Sequence, residues 1–235
     1  MKIDVIFCHP IHLQYPLWQQ QIRDQRKYFD KVIVSFTQMN AKGDYRKFIR
    51  DSMGEDNIIF VDNEPAQAKE DWRNQATNKA LSFSNSDWVL FSEQDFLIYN
   101  PGLFWKMIED LAKPSCEVIG YMQDKRLHPA FLLIKRETLN KTSRNFSVIP
   151  DKEDHFAIVA KEIDKFPKAL IFDTGSENLF HHMNGLSQNM YLLQSGREPN
   201  FRPTEFKKYC KECLEVKVPQ HPDFIELFSK YVEIN

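Results

Sequence analysis

Four short, mostly apolar runs at residues 3–7, 31–36, 57–62 and 87–92 constrain this chain more than any other feature. Between them lie segments patterned for helices: residues 15–29, 45–53 and 70–84. A strand that is apolar along its whole length, rather than at alternate positions, is buried on both faces, and strands alternating with helices build a parallel sheet covered on both sides. The expected fold class is therefore α/β, with a mostly parallel central sheet flanked by helices on both faces. The local signals agree. Pro16 suits a first helical turn, Gly54 suits a helix end, and acids at 70–71 match a helix dipole.

The second half of the chain predicts a smaller mixed region. Residues 101–113 open with Pro-Gly and read as a helix, residues 117–122 and 130–135 as strands, and residues 123–129 as a polar loop between them. An amphipathic helix over 152–166, a strand over 169–174, a polar loop over 175–189 and closing helices over 202–216 and 222–233 complete the expectation. No repeat, low-complexity tract or linker divides the chain. It is expected to form one domain over 1–235, with a nucleotide-binding half at 1–100, an acceptor- and metal-completing half at 101–195 and C-terminal helices at 196–235.

Composition removes some functions. With 31 basic and 33 acidic residues the formal net charge is -2, so there is no overall basic field to hold nucleic acid. The locally basic segment 45–50 reads as a solvated helix face. No run approaches the ~20 apolar residues of a membrane helix, and no leader pattern is visible, so a cytoplasmic protein is expected. Cys210 and Cys213 have CxxC spacing, with His221 nearby, but no second pair completes a zinc site; free thiols on a helix are the expectation.

Ligands of such sheets bind beyond the carboxyl ends of the strands. That edge receives Cys8, His9 and Pro10 after the first run, and Glu93, Gln94 and Asp95 after the fourth. Two carboxylates at i and i+2 leave a strand on one side. Their repulsion is relieved by a hard cation, Mn²⁺ or Mg²⁺, which can bridge to a diphosphate. Arg73 can grip a phosphate, and Asn78 lies one helical turn beyond Asn74, where amides reach a base or ribose. His181 or His182 can ligate Mn²⁺; adjacent residues of an extended segment point opposite ways, so at most one should face a given ion. Glu153 or Asp154 can serve as a general base, although acids there also suit a helix start.

Taken in order, the segments 4–10, 72–96, 151–163 and 180–185 resemble the Rossmann-like GT-A class of nucleotide-sugar glycosyltransferases, in its family-2-like branch, over about the first 190 residues. The resemblance implies a sugar moved from a UDP- or GDP-linked donor to a glycan or other hydroxyl acceptor. It implies Asp95 as the main metal ligand, Glu93 on the ribose or the metal, Arg73 and Asn78 along the diphosphate, His181 or His182 on the metal, and Asp154, then Glu153, as base in an inverting reaction. The chain departs from the pattern in having Glu where the first acid is usually Asp, and in offering Thr37 and Gln38 after the second strand. Two alternatives stand beside it. A nucleotidyltransferase would need a Gly-rich phosphate loop, and residues 8–16 contain no Gly. A nucleotide-sugar-binding module without turnover would tolerate the altered acid motif.

Overall fold

The computed structural model describes residues 1–7, 15–37, 49–51, 53, 57–63, 72–147, 156–173, 179–183 and 185–234, with backbone alone at 36–37, 72–73, 187 and 234. A seven-stranded sheet forms the centre, in the order β3-β2-β1-β4-β7-β6-β8. Its strands are β1 (Ile3–Phe7), β2 (Lys31–Thr37), β3 (Ile58–Asn63), β4 (Trp88–Ser92), β6 (Val118–Gln123), β7 (Arg126–Lys135) and β8 (Lys168–Ile171). β7 alone pairs antiparallel, to β4 and β6; every other pairing in the sheet is parallel. A second, two-stranded sheet joins β5 (Phe96–Ile98) to β9 (Phe180–His182).

The apolar runs fold as predicted because each strand feeds two cores. Ile3, Val5 and Phe7 of β1, with Trp88 and Leu90 of β4, point into one cluster; Ile6, Val89 and Phe91 point into the other. The first cluster is closed by α1 (Pro16–Gln25), α3 (Pro101–Leu111), α7 (Pro203–Glu215) and α8 (Pro222–Ile234). The second is closed by α2 (Trp72–Leu81) and α5 (Ala157–Ile163). Two further helices are the short α4 (Arg136–Leu139) and α6 (Leu186–Gln194). Cap chemistry sets the ends: Pro101 occupies the first turn of α3, and the Asn100 side chain accepts from the Leu103 N–H at 3.2 Å.

Three expectations change. The segment 123–129 is not a loop: β6 and β7 form a hairpin around Asp124 and Lys125, whose φ of 50° and 63° make the tight left-handed turn that matches strand twist. The pairing then slips. Gly120 faces Leu132, but Tyr121 faces His128, so residues 129–131 bulge from the ladder. The bulge accommodates Pro129 within a strand. Residues 180–182 are likewise a strand, and 186–194 a helix, where a polar loop was expected. The helix expected from 152 is described from Ala157, after Phe156 in the left-handed region at φ 72°.

Cys116, Cys210 and Cys213 are free and buried. Burial chiefly pushes the Cys213 thiol up to about 12 and raises that of Cys210 as well, so both stay protonated in the metal-free protein. Among the described residues no helix is long and apolar enough to cross a membrane.

Candidate metal centre

β4 ends at Ser92 and the backbone turns through Glu93, Gln94 and Asp95 into β5, with the Phe96 N–H donating to the Glu93 carbonyl at 3.3 Å. β5 pairs antiparallel with β9 in a register that sets Phe96 against His182 and Leu97 against His181. The Met183 N–H donates to the Asp95 carbonyl at 2.9 Å, extending that register by one step. Asp95 and His182, far apart in sequence, are thus joined through the backbone before any side-chain contact is made.

Nε2 of His182 lies 3.6 Å from Oε2 of Glu93 and 3.4 Å from Oδ1 of Asp95. Its Nδ1 lies 2.9 Å from Oε1 of Gln123, which accepts the Nδ1–H. That outer bond orients the ring and aims Nε2 at the acids. Glu93 and His182 are 8% and 2% exposed, so the acidic pair is not spread into solvent. Burial opposes the charge on His182, but the carboxylates of Asp95 and Glu93 outweigh it and push its pKa up to about 10. Without a metal the site holds an imidazolium between two carboxylates.

Do these residues fit a divalent ion? Oδ1 of Asp95 is buried and, among the described residues, accepts no well-directed hydrogen bond. An oxygen left in that state suits a cation, and two carboxylates with one imidazole are a donor set for Mn²⁺ and, less strongly, Mg²⁺. His128 of β7 stands beside them. It, Glu93 and His182 each offer a ligand-type atom, and these lie within 4.8 Å of one another. Sequence reasoning missed His128 because the residue was read as part of a polar loop.

Of the two adjacent histidines, His181 is the one turned away from the acids. It points to the other side of β9, with Nδ1 2.8 Å from Oδ2 of Asp173 and Nε2 3.4 Å from Oε2 of Glu205 in α7. Hydrogen bonding by Asp173 more than offsets burial and raises its pKa. Through Glu205 it links α7 to β9. Asn78 is engaged elsewhere too: Nδ2 donates to the Asn74 carbonyl at 3.0 Å, Asn74 Oδ1 at 2.9 Å and the Arg144 carbonyl at 3.1 Å. Its donors therefore tie α2 to residues 144–146 rather than facing a diphosphate. Gln94 is buried in the turn. Arg73 lies in α2, with its side chain outside the described residues; Cys8, His9, Pro10, Glu153 and Asp154 lie outside them entirely. A groove of about 300 Å³ lined by Met1, Lys2, Asp87, Trp88, Glu109 and Ala112 sits at the amino ends of β1 and β4, away from these groups.

No protein-family model matches the sequence, and no curated protein matches it. Solved structures match by shape. TarS of S. aureus (residues 1–349) superposes with a TM-score of 0.53 at 11% identity, over 99% of this chain and 71% of its own. A cytidylyltransferase from Leptospira borgpetersenii serovar Hardjo-bovis gives 0.51 at 14% identity, over 99% and 94%. A mannosyltransferase from Pyrobaculum calidifontis, in complex with GDP-Man and Mn²⁺, gives 0.49 at 13% identity, over 99% and 69%. At such identities the likeness speaks to fold alone, and the first two carry it. The chain has an α/β, GT-A/Rossmann-like fold, and a mannosyltransferase and a cytidylyltransferase are both among its structural neighbours.

Proposed function

We propose that this chain is a metal-dependent glycosyltransferase that moves a sugar from a UDP- or GDP-linked donor to an acceptor hydroxyl. One observation carries the reading. Glu93 and Asp95, at the carboxyl end of β4, converge on Nε2 of His182, and the buried Oδ1 of Asp95, 3.4 Å from that nitrogen, accepts no well-directed hydrogen bond among the described residues. This is the edge at which open α/β sheets bind ligands. Asp95 and Glu93 with His182 would hold Mn²⁺ or Mg²⁺, and a bound ion supplies Lewis-acid neutralisation of the departing nucleoside diphosphate.

The chain's own groups do the rest. Gln123 keeps Nδ1 of His182 protonated and its Nε2 aimed inward. The turn fastened by Phe96 N–H and Met183 N–H fixes both acids before the donor arrives, so little reorganisation is left to the reaction. Cys8 to Pro10 and Arg73 are proposed for the nucleotide side, and Asp154, then Glu153, as the base that takes the acceptor proton if the sugar carbon inverts.

The test is release of nucleoside diphosphate from a panel of UDP- and GDP-sugars with Mn²⁺, repeated with Asp95→Ala. Metal-dependent release that disappears in the variant is expected. Absence of release and of donor binding across the panel sinks the proposal. A cytidylyltransferase among the neighbours at a TM-score of 0.51 favours one second reading, nucleotidyl transfer. Pyrophosphate released from a nucleoside triphosphate and a sugar phosphate would establish it. Donor binding without turnover, unaffected biologically by Asp95→Ala, would indicate a binding module.

A further inference from the structure

We infer that His128 is a positioning residue of the proposed metal centre and not one of its ligands: it gives its Nε2–H to the Glu93 carboxylate. By proximity alone Glu93, His128 and His182 form a three-residue ligand set. Hydrogen bonding divides the two histidines. Nδ1 of His128 lies 3.1 Å from the backbone nitrogen of Ala130, which donates to it. A backbone N–H can only donate, so that lone pair is occupied and the ring proton sits on Nε2. Nδ1 of His182 meets the opposite partner, the acceptor Oε1 of Gln123. The same side chain is therefore held in opposite senses on two strands: His182 turns a ligand nitrogen toward the acids, and His128 turns a donor.

For His128 to bind a metal through Nε2, its proton would have to move to Nδ1. It would then point at the Ala130 N–H, leaving a buried donor opposed. The ring has little room to escape by turning. It is 5% exposed, with its centroid 4.8 Å from that of His182 and 6.0 Å from that of Tyr121. The bulge at 129–131 is what brings the Ala130 N–H back onto its own strand's histidine. The Ala130 carbonyl accepts from the Glu93 N–H at 3.3 Å and the Ser92 hydroxyl at 3.1 Å. One peptide segment thus fixes both the donor ring and the backbone of the acid it serves, and Glu93 offers a carboxylate oxygen within 4.8 Å of a nitrogen of that ring.

The hydrogen-bond part of this inference is independent of the proposed function; the non-ligand part rests on it. Long-range ¹H–¹⁵N correlation spectra of the metal-free protein are expected to show His128 as the Nε2–H tautomer, with that proton moving upfield in Glu93→Gln. Titration with Zn²⁺, a diamagnetic probe, is expected to shift Nε2 of His182 and leave the His128 proton in place. His128→Gln, which keeps a terminal N–H, should bind Zn²⁺ close to the wild type, whereas His128→Phe should bind about 10–100-fold more weakly, the range for an outer partner. An Nδ1–H tautomer in the metal-free protein, an unmoved signal in Glu93→Gln, or loss of the Nε2 proton on adding Zn²⁺ overturns the inference. Failure of the wild type to bind any divalent ion would instead count against the proposed function, with the metal-free spectra still deciding the role of His128.

Discussion

Nε2 of His182 stands 3.4 Å from Oδ1 of Asp95, and the backbone brings them there: the Met183 N–H holds the Asp95 carbonyl at 2.9 Å while Phe96 pairs with His182. A proton on His182 then fills the electrostatic place that the proposed cation would take. The metal-free and metal-bound states compete for one nitrogen, and that competition has measurable consequences.

The first is pH dependence. The pKa of His182 is raised from 6.5 to about 10: burial opposes the charge, and Asp95 and Glu93 outweigh it. A raised folded value means that the ion pair stabilises the metal-free protein fully below about 6.5 and that this contribution is lost as pH climbs through about 10. The metal-free melting temperature should fall over that upper range. Binding of Mn²⁺ must displace the proton, so affinity should rise about tenfold per pH unit between pH 7 and 9. Calorimetry in buffers of different ionisation enthalpy should report about one proton released per ion. Binding with no proton release would place the ion away from His182.

The second concerns Asp95. Asp95→Asn keeps the volume and removes the charge, so Mn²⁺ affinity should fall by more than the roughly 10–100-fold attached to an outer partner. Circular dichroism should remain that of the wild type, because the turn is held by backbone bonds from Phe96 and Met183. Titration calorimetry of the folded variant checks this; undiminished affinity would remove Asp95 from the site.

The sequence displayed one half of this site and concealed the other, for physical reasons. β1 to β4 are legible because strands packed on both faces are mostly apolar rather than alternating, and Glu93 and Asp95 announce themselves by ending such a run. His128 is hidden twice. Asp124-Lys125 makes a left-handed two-residue turn without the Gly that usually marks one, and Pro129 argues against a strand until the bulge is seen. That His181 and His182 point opposite ways is legible from their adjacency, but which of them faces the acids appears only when β9 is paired. Asn78 misleads because a polar amide on a helix face looks the same whether it meets a ligand or a neighbouring carbonyl.

Asp4 supports the fold from the opposite end of the sheet. Its buried carboxylate accepts from Ser84 Oγ at 2.9 Å, Asn85 N–H at 2.7 Å, Ser86 N–H at 2.9 Å and Ser86 Oγ at 2.8 Å, with Arg136 at 3.9 Å. Burial would raise its pKa, but the bonds from Ser86, Asn85 and Ser84 prevail and lower it from 3.8. A depressed value means stability present above pH ~4 and lost as pH falls through the folded value. Asp4→Ala strands these donors and should destabilise by about 3–5 kcal/mol. Urea unfolding measures the loss, and its acid dependence below pH 4 should weaken in the variant. An unchanged acid limb would mean that other carboxylates govern it.

Gly185 meets two demands at once. It precedes α6 with φ 78°, a left-handed value that costs an L-residue roughly 1–2 kcal/mol. A Cβ there would also run into Cδ1 of Phe201. Asn189 of α6 holds the Phe201 backbone at both ends, Nδ2 donating to its carbonyl and Oδ1 accepting its N–H at 3.1 Å, so the ring can give way only by turning about its own side-chain bonds. Gly185→Ala should therefore add overpacking of about 1–3 kcal/mol to the backbone strain. Adding Phe201→Ala should return the steric share and leave the strain, so the two substitutions should couple in a double-mutant cycle measured by denaturant unfolding. Strict additivity would show that the ring does not oppose the new methyl group, and that backbone conformation alone requires glycine at this turn.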